Sequence, residues 1–113
     1  MGGRLGRTLT WGDVRWYRFA HPDKRRPVLV LTRDSALQFL ADVTVAPITT
    51  RVRGIPTEVE IGPEDGLPKR CAVNLDHVQT VPRSRLETRI TGLDTARMEA
   101  VRSALLFALG MRT

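Results

Sequence analysis

Apolar and polar residues alternate along much of this chain, and a two-residue period is typical of β-strands that bury one face. Two further runs are continuously rich in Val, Leu and Thr, which favours buried strands. Together these patterns predict six strands, over residues 14–19, 26–32, 43–50, 57–61, 71–75 and 78–81. Pro47 lies inside the third strand and predicts a sheet edge or a bulge there, because proline lacks the N–H that a central strand donates.

Two other stretches have a helical pattern. Asp34 is predicted to cap a short helix over residues 35–40, and Asp94 to cap a helix over residues 95–109 that ends before Gly110. The apolar stripe of the second helix consists of Met98, Val101, Leu105, Ala108 and Leu109. Neighbouring apolar residues widen the stripe, which either a partner surface or packing inside a small sheet fold explains. The predicted fold class is mostly β with helices.

The length of 113 residues fits one domain with one modest core. We expect residues 1–10, rich in Gly and Arg, to be a flexible leader and residues 11–113 to form the single domain. Cys71 has no second cysteine to pair with, and with two histidines it makes no zinc-type ligand set, so neither a metal nor a cofactor is expected. The lack of an apolar leader and of a membrane-length segment predicts a cytoplasmic protein.

The net charge of +6 is unevenly distributed along the chain. Residues 1–33 carry +6, residues 34–66 carry −4 and residues 67–113 carry +4. Basic ends and an acidic middle indicate a polar molecule whose positive face attracts a polyanion such as nucleic acid. General solubility is the alternative explanation, and the charge alone does not decide between them.

Arg26 is the strongest candidate for chemistry. Pro27 biases Arg26 away from the helical conformation, so its guanidinium stands at the rigid entrance of a predicted strand. A planar guanidinium held there presents a fixed fork of donors to a phosphate. The preceding turn adds His21, Lys24 and Arg25 as a candidate substrate rim, although a histidine before proline is usually a solvated turn residue.

Three further positions have both an ordinary and a functional interpretation. Thr49 ends a predicted strand beside Arg51 and Arg53, but threonine at a strand end is commonly there for its β-propensity. Asp76 either closes a turn with its own backbone or, facing arginines, stays ionised and accepts a proton. Trp16 either packs in the core, the commoner role of a large aromatic residue, or stacks on a nucleobase.

Seven short motifs, in order from about Gly12 to Met111, resemble those of one protein family. They are GDV at 12–14, RPVLV at 26–30, APIT at 46–49, PTEV at 56–59, GLPK at 66–69, TVPRSRL at 80–86 and ALLFALG at 104–110. On these residues the chain resembles the MazF/PemK toxins of bacterial toxin–antitoxin pairs, which are sequence-selective endoribonucleases. The resemblance implies a small SH3-like (PemK/CcdB-like) β-barrel with a C-terminal helix, a homodimer, and metal-independent cleavage of single-stranded RNA through attack by the ribose 2′-OH.

The same resemblance implies roles for individual residues. Arg26 matches the family's catalytic arginine, Thr49 its strand-end threonine that contacts the phosphate, and Asp76 an acid proposed as general base. The residues implied to bind RNA are His21, Lys24, Arg25, Arg51, Arg53 and Asn74.

The chain departs from the family pattern in three places. The loop before Arg26 is short and lacks a glutamate, Asn74 stands where some members have a second catalytic arginine, and Gln79 replaces a frequent arginine. These differences leave the general acid and base unassigned and imply a different RNA recognition sequence.

Two other functions agree with the same residues. A gyrase-poison-like toxin of this barrel grips a protein partner without catalysis, and a module that has lost its chemistry at Asn74 and Gln79 binds RNA without cutting it. The family also implies a cognate acidic, MazE-like antitoxin, whose charge would complement the basic rim.

Overall fold

The computed structural model describes residues 8–20 and 25–111. Within them the chain forms seven strands, two α-helices and three short 3₁₀ turns. The strands are β1 Asp13–Arg18, β2 Arg25–Val30, β3 Asp42–Thr49, β4 Glu58–Ile61, β5 Cys71–Asn74, β6 Gln79–Pro82 and β7 Leu86–Gly92. The α-helices are α1 Asp34–Leu37 and α2 Thr95–Ala108, and the 3₁₀ turns are Pro63–Asp65, Leu75–His77 and Arg83–Arg85.

All seven of these strands belong to one antiparallel sheet. Their order is β4, β5, β3, β2, β1 and β7, and β6 lies beside β3. β4 and β7 end the sheet, so it resembles a barrel that is not closed. The predicted mostly β fold with a C-terminal helix is confirmed. In the part of the chain that the structure describes, no helix is long and apolar enough to cross a membrane.

The sheet buries side chains on both faces. Successive side chains of a strand point to opposite faces, so Leu29 packs in one core cluster while Val28 and Val30 pack in the other. The first cluster lies against α2, which contributes Met98, Val101 and Ala104. The second includes Tyr17, Leu37, Val43, Val45 and Val81. This two-sided burial explains the continuous apolar run of β2, because a strand covered on both faces needs no alternation.

Pro47 was predicted to mark a sheet edge or a bulge, and the first alternative is wrong for the strand as a whole, because β3 is central. On one side β3 pairs with β2, with Val28 opposite Pro47. On its other side β3 changes partner, from β6 at Val45 to β5 at Ile48. Pro47 lies in the gap between these two partners, where the missing N–H breaks no ladder on that side.

The strand β7 was missed by the sequence analysis. Of its seven residues only Leu86 and Ile90 are large and apolar, and both are half-buried. β7 pairs with β1, from Asp13 opposite Gly92 to Tyr17 opposite Leu86, with two register shifts between. Because β7 depends on pairing with a strand that is distant in the sequence, its own residues show almost no hydrophobic pattern.

A buried ion-pair network joins β1 to β7. Asp13 and Arg15 are only 3% and 6% exposed, and Arg15 Nη2 lies 3.3 Å from Asp13 Oδ2. Arg89 Nε donates to Asp13 Oδ1 at 3.0 Å, and the N–H of Thr10 donates to Asp13 Oδ2 at 3.0 Å. Arg15 Nη1 also donates to the backbone oxygen of Glu87 at 3.3 Å. Removing one partner would leave the other charge buried and unpaired.

The predicted N-terminal leader lies partly outside the described residues, which begin at Thr8. Leu9 is 7% exposed and packs in the second core cluster, so the packed domain includes a residue that the sequence analysis placed in the leader.

The two helix caps differ. The Asp94 carboxylate accepts a hydrogen bond from the N–H of Arg97 at 2.8 Å, which confirms the predicted cap of α2, and Gly110 follows with φ 72°. Asp34 does not cap α1: it is the first residue of that helix, and its carboxylate accepts from the N–H of Trp11 at 2.7 Å. The carboxylate therefore joins α1 to the start of β1.

Candidate active site

Arg26 and Thr49 come together where β2 begins and β3 ends. Val28 pairs with Pro47, so the same antiparallel register, continued by two residues, places Arg26 level with Thr49. Both residues line a cleft of about 340 Å³. Arg25, Thr50 and Lys69 add polar groups to its walls, and Trp16, Ile48 and Leu67 add apolar surface.

Arg26 has a fixed backbone and an exposed side chain. Its backbone pairs with Tyr17, a buried residue of β1, and Pro27 restricts it from the other side. Among the described residues no carboxylate forms an ion pair with its guanidinium, and none lines the cleft. A guanidinium placed in this way is able to give two parallel N–H donors to an anionic oxygen pair.

The hydroxyl group of Thr49 is oriented by the loop that follows it. The N–H of Arg51 donates to Thr49 Oγ1 at 3.0 Å, so the hydroxyl hydrogen remains available to a second acceptor. The N–H of Arg53 donates to Glu58 Oε1 at 2.9 Å, which fixes the same loop against β4. Both arginine side chains are exposed, so their charges lie on the rim rather than in the core.

Asp76 lies away from this cleft. It belongs to the turn beyond Asn74, whereas the cleft includes Cys71 at the opposite end of β5. The hydroxyl of Thr57 donates to Asp76 Oδ2 at 2.6 Å, and the N–H of Asp76 donates to Asn74 Oδ1 at 2.9 Å. The Asn74 amide lies 2.9 Å from His77 Nδ1. Within one chain, Asp76 and Asn74 therefore form a polar cluster of their own.

A second feature of the cleft was not found from the sequence. The guanidinium carbon of Arg25 lies 4.6 Å from the centre of a Trp16 ring, and Arg25 Nε donates to Glu87 Oε1 at 2.7 Å. Glu87 Oε2 accepts from Arg18 Nε at 3.0 Å. The hydrogen bond from Arg25, with that from Arg18, holds the pKa of Glu87 below its ordinary value. Glu87 gave no signal because β7 itself was missed.

The remaining sequence predictions are resolved only in part. His21 and Lys24 lie outside the described residues. Cys71 is 4% exposed, and burial raises the pKa of its thiol, which is therefore protonated at neutral pH. Among residues 8–20 and 25–111, no three His, Cys, Asp or Glu side chains are grouped in a way that would hold a metal ion.

The chain also matches the sequence model of a known protein family. The model of the PemK-like, MazF-like toxins of type II toxin–antitoxin systems matches residues 10–109. The chain belongs to this family. The resemblance inferred from the seven motifs is thereby confirmed, and the cleft with Arg26 and Thr49 lies within the matched residues.

The similarity to other proteins covers nearly the whole of the PemK/MazF-like domain. The probable endoribonuclease MazF5 of Mycobacterium tuberculosis (strain ATCC 25618 / H37Rv) is 43% identical over 99 residues, which cover 87% of this chain and 90% of that protein. The structure of the Mycobacterium tuberculosis toxin MazF-mt6 has a TM-score of 0.83 at 37% identity and covers 89% of this chain and 99% of its own. An endoribonuclease in complex with its cognate antitoxin, from a mycobacterial species, also has a TM-score of 0.83, at 28% identity, with 93% and 98% covered.

Proposed function

We propose that this PemK/MazF-like toxin is an endoribonuclease that cuts single-stranded RNA at a short sequence, without a metal ion, by attack of a ribose 2′-OH on the adjacent phosphate. The observation that carries the proposal is the basic cleft in which Arg26 and Thr49 stand level on neighbouring strands. The similarity to proteins named as endoribonucleases supports cleavage of RNA.

In this reaction the cleft stabilises the charge that develops on the phosphate. Arg26 gives its N–H donors to the non-bridging oxygens as the 2′-oxygen attacks and the pentacoordinate transition state forms. The bond between phosphorus and the 5′-oxygen then breaks, and the 5′-oxygen takes up a proton and leaves as a hydroxyl group, so that a 2′,3′-cyclic phosphate remains. The Thr49 hydroxyl, held by the N–H of Arg51, donates to the same phosphate. The other proposed RNA contacts are His21, Lys24, Arg25, Arg51, Arg53 and Asn74, which neutralise or hydrogen-bond the flanking nucleotides.

Asp76 is the proposed general base, and its position makes this role depend on a homodimer. It lies at the end of β5 remote from the cleft of its own chain, so a second protomer must bring it to the reacting 2′-OH. Mixing Arg26→Ala protein with Asp76→Asn protein tests this directly. If both protomers contribute to each active site, a mixed dimer regains one of its two sites, and the mixture recovers about a quarter to a half of the wild-type activity. If each protomer has a site of its own, the mixture stays inactive.

The decisive experiment incubates the purified protein with a long, defined single-stranded RNA in EDTA and maps the ends. We expect cuts at one short sequence, with 2′,3′-cyclic phosphate termini, and no cut where the attacking nucleotide is 2′-deoxy. Arg26→Ala is expected to slow the cutting by about 10²- to 10³-fold. Arg102→Ala, which changes an exposed arginine on α2, is expected to leave the cutting rate unchanged. Binding of RNA by folded wild-type protein without any cut would instead favour a module that has lost its chemistry.

The proposal includes an acidic, MazE-like antitoxin and a cytoplasmic location, where RNA and the antitoxin meet. The similarity to an endoribonuclease solved with its cognate antitoxin supports such a partner. An acidic segment that covers Arg26 and Lys69 would compete with RNA for the cleft. The complex is therefore expected to cut RNA more slowly than the free toxin, and equal rates would contradict inhibition by occlusion.

A further inference from the structure

Trp16, Arg25 and Glu87 form a connected group, of which Trp16 and Arg25 line the cleft. Trp16 pairs with Pro27, and Arg25 lies two residues earlier on the same strand, so both side chains leave the sheet on one face. The Arg25 guanidinium lies over the indole at 4.6 Å, and Glu87 binds its Nε at 2.7 Å. Both Trp16 and Arg25 line the cleft that contains Arg26 and Thr49.

Glu87 lies between two arginines and offsets their mutual repulsion. Arg18 and Arg25 stand directly opposite each other on β1 and β2, and like charges in that position repel. Glu87 accepts from both arginines, through one carboxylate oxygen each, and so removes the repulsion. The Glu87 side chain is 30% exposed, compared with 41% for Arg25 and 51% for Arg18. The carboxylate is therefore more enclosed than either arginine, and it bridges their two guanidinium groups.

Arg25 and its neighbour Arg26 are thereby prepared for different ligands. Adjacent side chains leave a strand in opposite directions, although both of these residues line the cleft. Arg26 forms no ion pair among the described residues, whereas Arg25 forms an ion pair with Glu87. What Arg25 still offers is the outer face of a flat guanidinium that rests on an aromatic ring, a surface on which nucleobases stack.

We propose that Trp16 and Arg25 form a stacking platform for an unpaired nucleobase next to the scissile phosphate, and that Glu87 is the positioning residue that keeps Arg25 flat on Trp16. This inference rests on the proposed ribonuclease function and adds a determinant of its specificity. Every base has a π-face, so the platform selects for stacking strength and favours a purine rather than reading base edges.

The test is a cycle between the protein and its substrate. Wild-type protein and Trp16→Leu are compared on a short RNA that contains one cleavage site, and on the same RNA with a single abasic nucleotide at each position flanking the cut. On intact RNA, Trp16→Leu is expected to lower kcat/KM by about five- to a hundredfold, the range for loss of one stacked base. At one flanking position, the abasic nucleotide is expected to lower kcat/KM of the wild-type protein by the same factor. On that abasic RNA, Trp16→Leu is expected to cause no further decrease in kcat/KM.

Glu87→Gln tests the positioning role while keeping the shape of the side chain. We expect a several-fold loss of purine preference at the platform position, with the cleavage rate on the matching abasic RNA unchanged. Glu60→Gln is the matched control, because Glu60 also pairs with an arginine, Arg70, but lies outside the cleft. It should leave the preference as in wild type. Arg25→Lys keeps the charge without the planar face and is expected to behave like Glu87→Gln.

Several outcomes would overturn the platform. An equal loss for Trp16→Leu on intact and on every abasic RNA would show that Trp16 acts only through the fold. A Trp16→Leu protein that cut RNA normally but bound the antitoxin weakly would make the group a protein-docking surface. Failure of the wild type to cut any RNA would refute the proposed function separately. The same cycle, measured as equilibrium binding through fluorescence anisotropy of the labelled RNAs, then still decides whether a base stacks on the platform.

Discussion

The chain uses arginine in two opposite ways, in the buried network around Arg15 and in the cleft around Arg26. Arg15 is 6% exposed and surrounded by acceptors, with Asp13 and the backbone oxygen of Glu87 holding its guanidinium. Arg26 is exposed, and no described carboxylate pairs with it. An arginine whose hydrogen bonds are already made stabilises a fold, whereas one held rigidly without a partner is ready for a ligand. A net charge alone does not distinguish the two.

Breaking the buried network should give the largest effect. Asp13→Ala leaves Arg15 charged and without its carboxylate in the interior, so the free energy of unfolding is expected to fall by about 3–5 kcal/mol. Urea denaturation at neutral pH measures it. Glu99→Ala, at an exposed position of α2, is the control and should change stability by less than about 0.5 kcal/mol. A loss below about 1 kcal/mol for Asp13→Ala would mean that water replaces the carboxylate, and the contrast with Arg26 would disappear.

Changing Arg26 should leave stability intact and remove activity. Arg26→Ala is expected to lower the RNA cleavage rate by about 10²- to 10³-fold, the usual loss for one donor that stabilises a transition state. Arg26→Lys keeps the charge but not the planar fork, so a loss of at least about tenfold is expected there too. Single-turnover cleavage and urea denaturation are measured together. Full activity in Arg26→Lys would show that charge alone suffices and that the fixed fork is irrelevant.

Thr49→Val tests whether the hydroxyl group in the cleft contributes to cleavage, because valine keeps the shape of the side chain and lacks the hydroxyl. Loss of one hydrogen bond to the phosphate corresponds to about 1.4 kcal/mol, or about a tenfold slower cleavage. Thr80→Val, an exposed threonine on β6, serves as the control. If both variants cut RNA at the wild-type rate, then Thr49 is present for its β-propensity.

Arg97 is intermediate between the two extremes and should give the smallest effect. It is 34% exposed in its side chain, and its Nε donates to Asp65 Oδ1 at 2.9 Å. Burial alone would raise the pKa of Asp65, but the hydrogen bonds from Arg97 and from the N–H of Gly62 together lower it below the ordinary 3.8. Arg97→Met is expected to cost about 1 kcal/mol at pH 7, since the pair is partly screened.

The pH dependence of that cost follows from its sign. A depressed carboxyl pKa in the folded state stabilises the protein above the ordinary value, and this contribution is lost as the pH falls through the folded pKa. The stability difference between wild type and Arg97→Met should therefore be constant near neutral pH and shrink towards zero below about pH 4. Urea denaturation at a series of pH values measures it, and a difference that grew in acid would assign the effect to another group.

The sequence was informative where the signal is local. The alternation predicted β4, the Asp94 cap predicted the start of α2, and Pro27 marked the rigid entrance at Arg26. Arg26 and Thr49 were named from separate motifs, and the β2–β3 register brings them to one cleft.

What the sequence could not provide was pairing over long distances. β7 carries its stabilising contacts through β1, and Pro47 is tolerated in a central strand only because β3 changes partner beside it. The role of Glu87 depends on two arginines from two other strands, so no local pattern marks it. Nor does any spacing rule place Asp76 at the far end of β5 from the cleft.

The pairing of β1 with β7 also joins the first and last strands of the described chain, so the sheet obtains its last strand late in synthesis. The ribosome releases β1, β2 and β3 early, yet Asp13 meets its partner Gly92 only after most of the chain has been synthesised. Until then β1 is an unprotected edge, and Arg25 lacks the Glu87 carboxylate that holds it. The sheet is therefore complete only when β7 is available, which is later than the synthesis of Arg26 and Thr49.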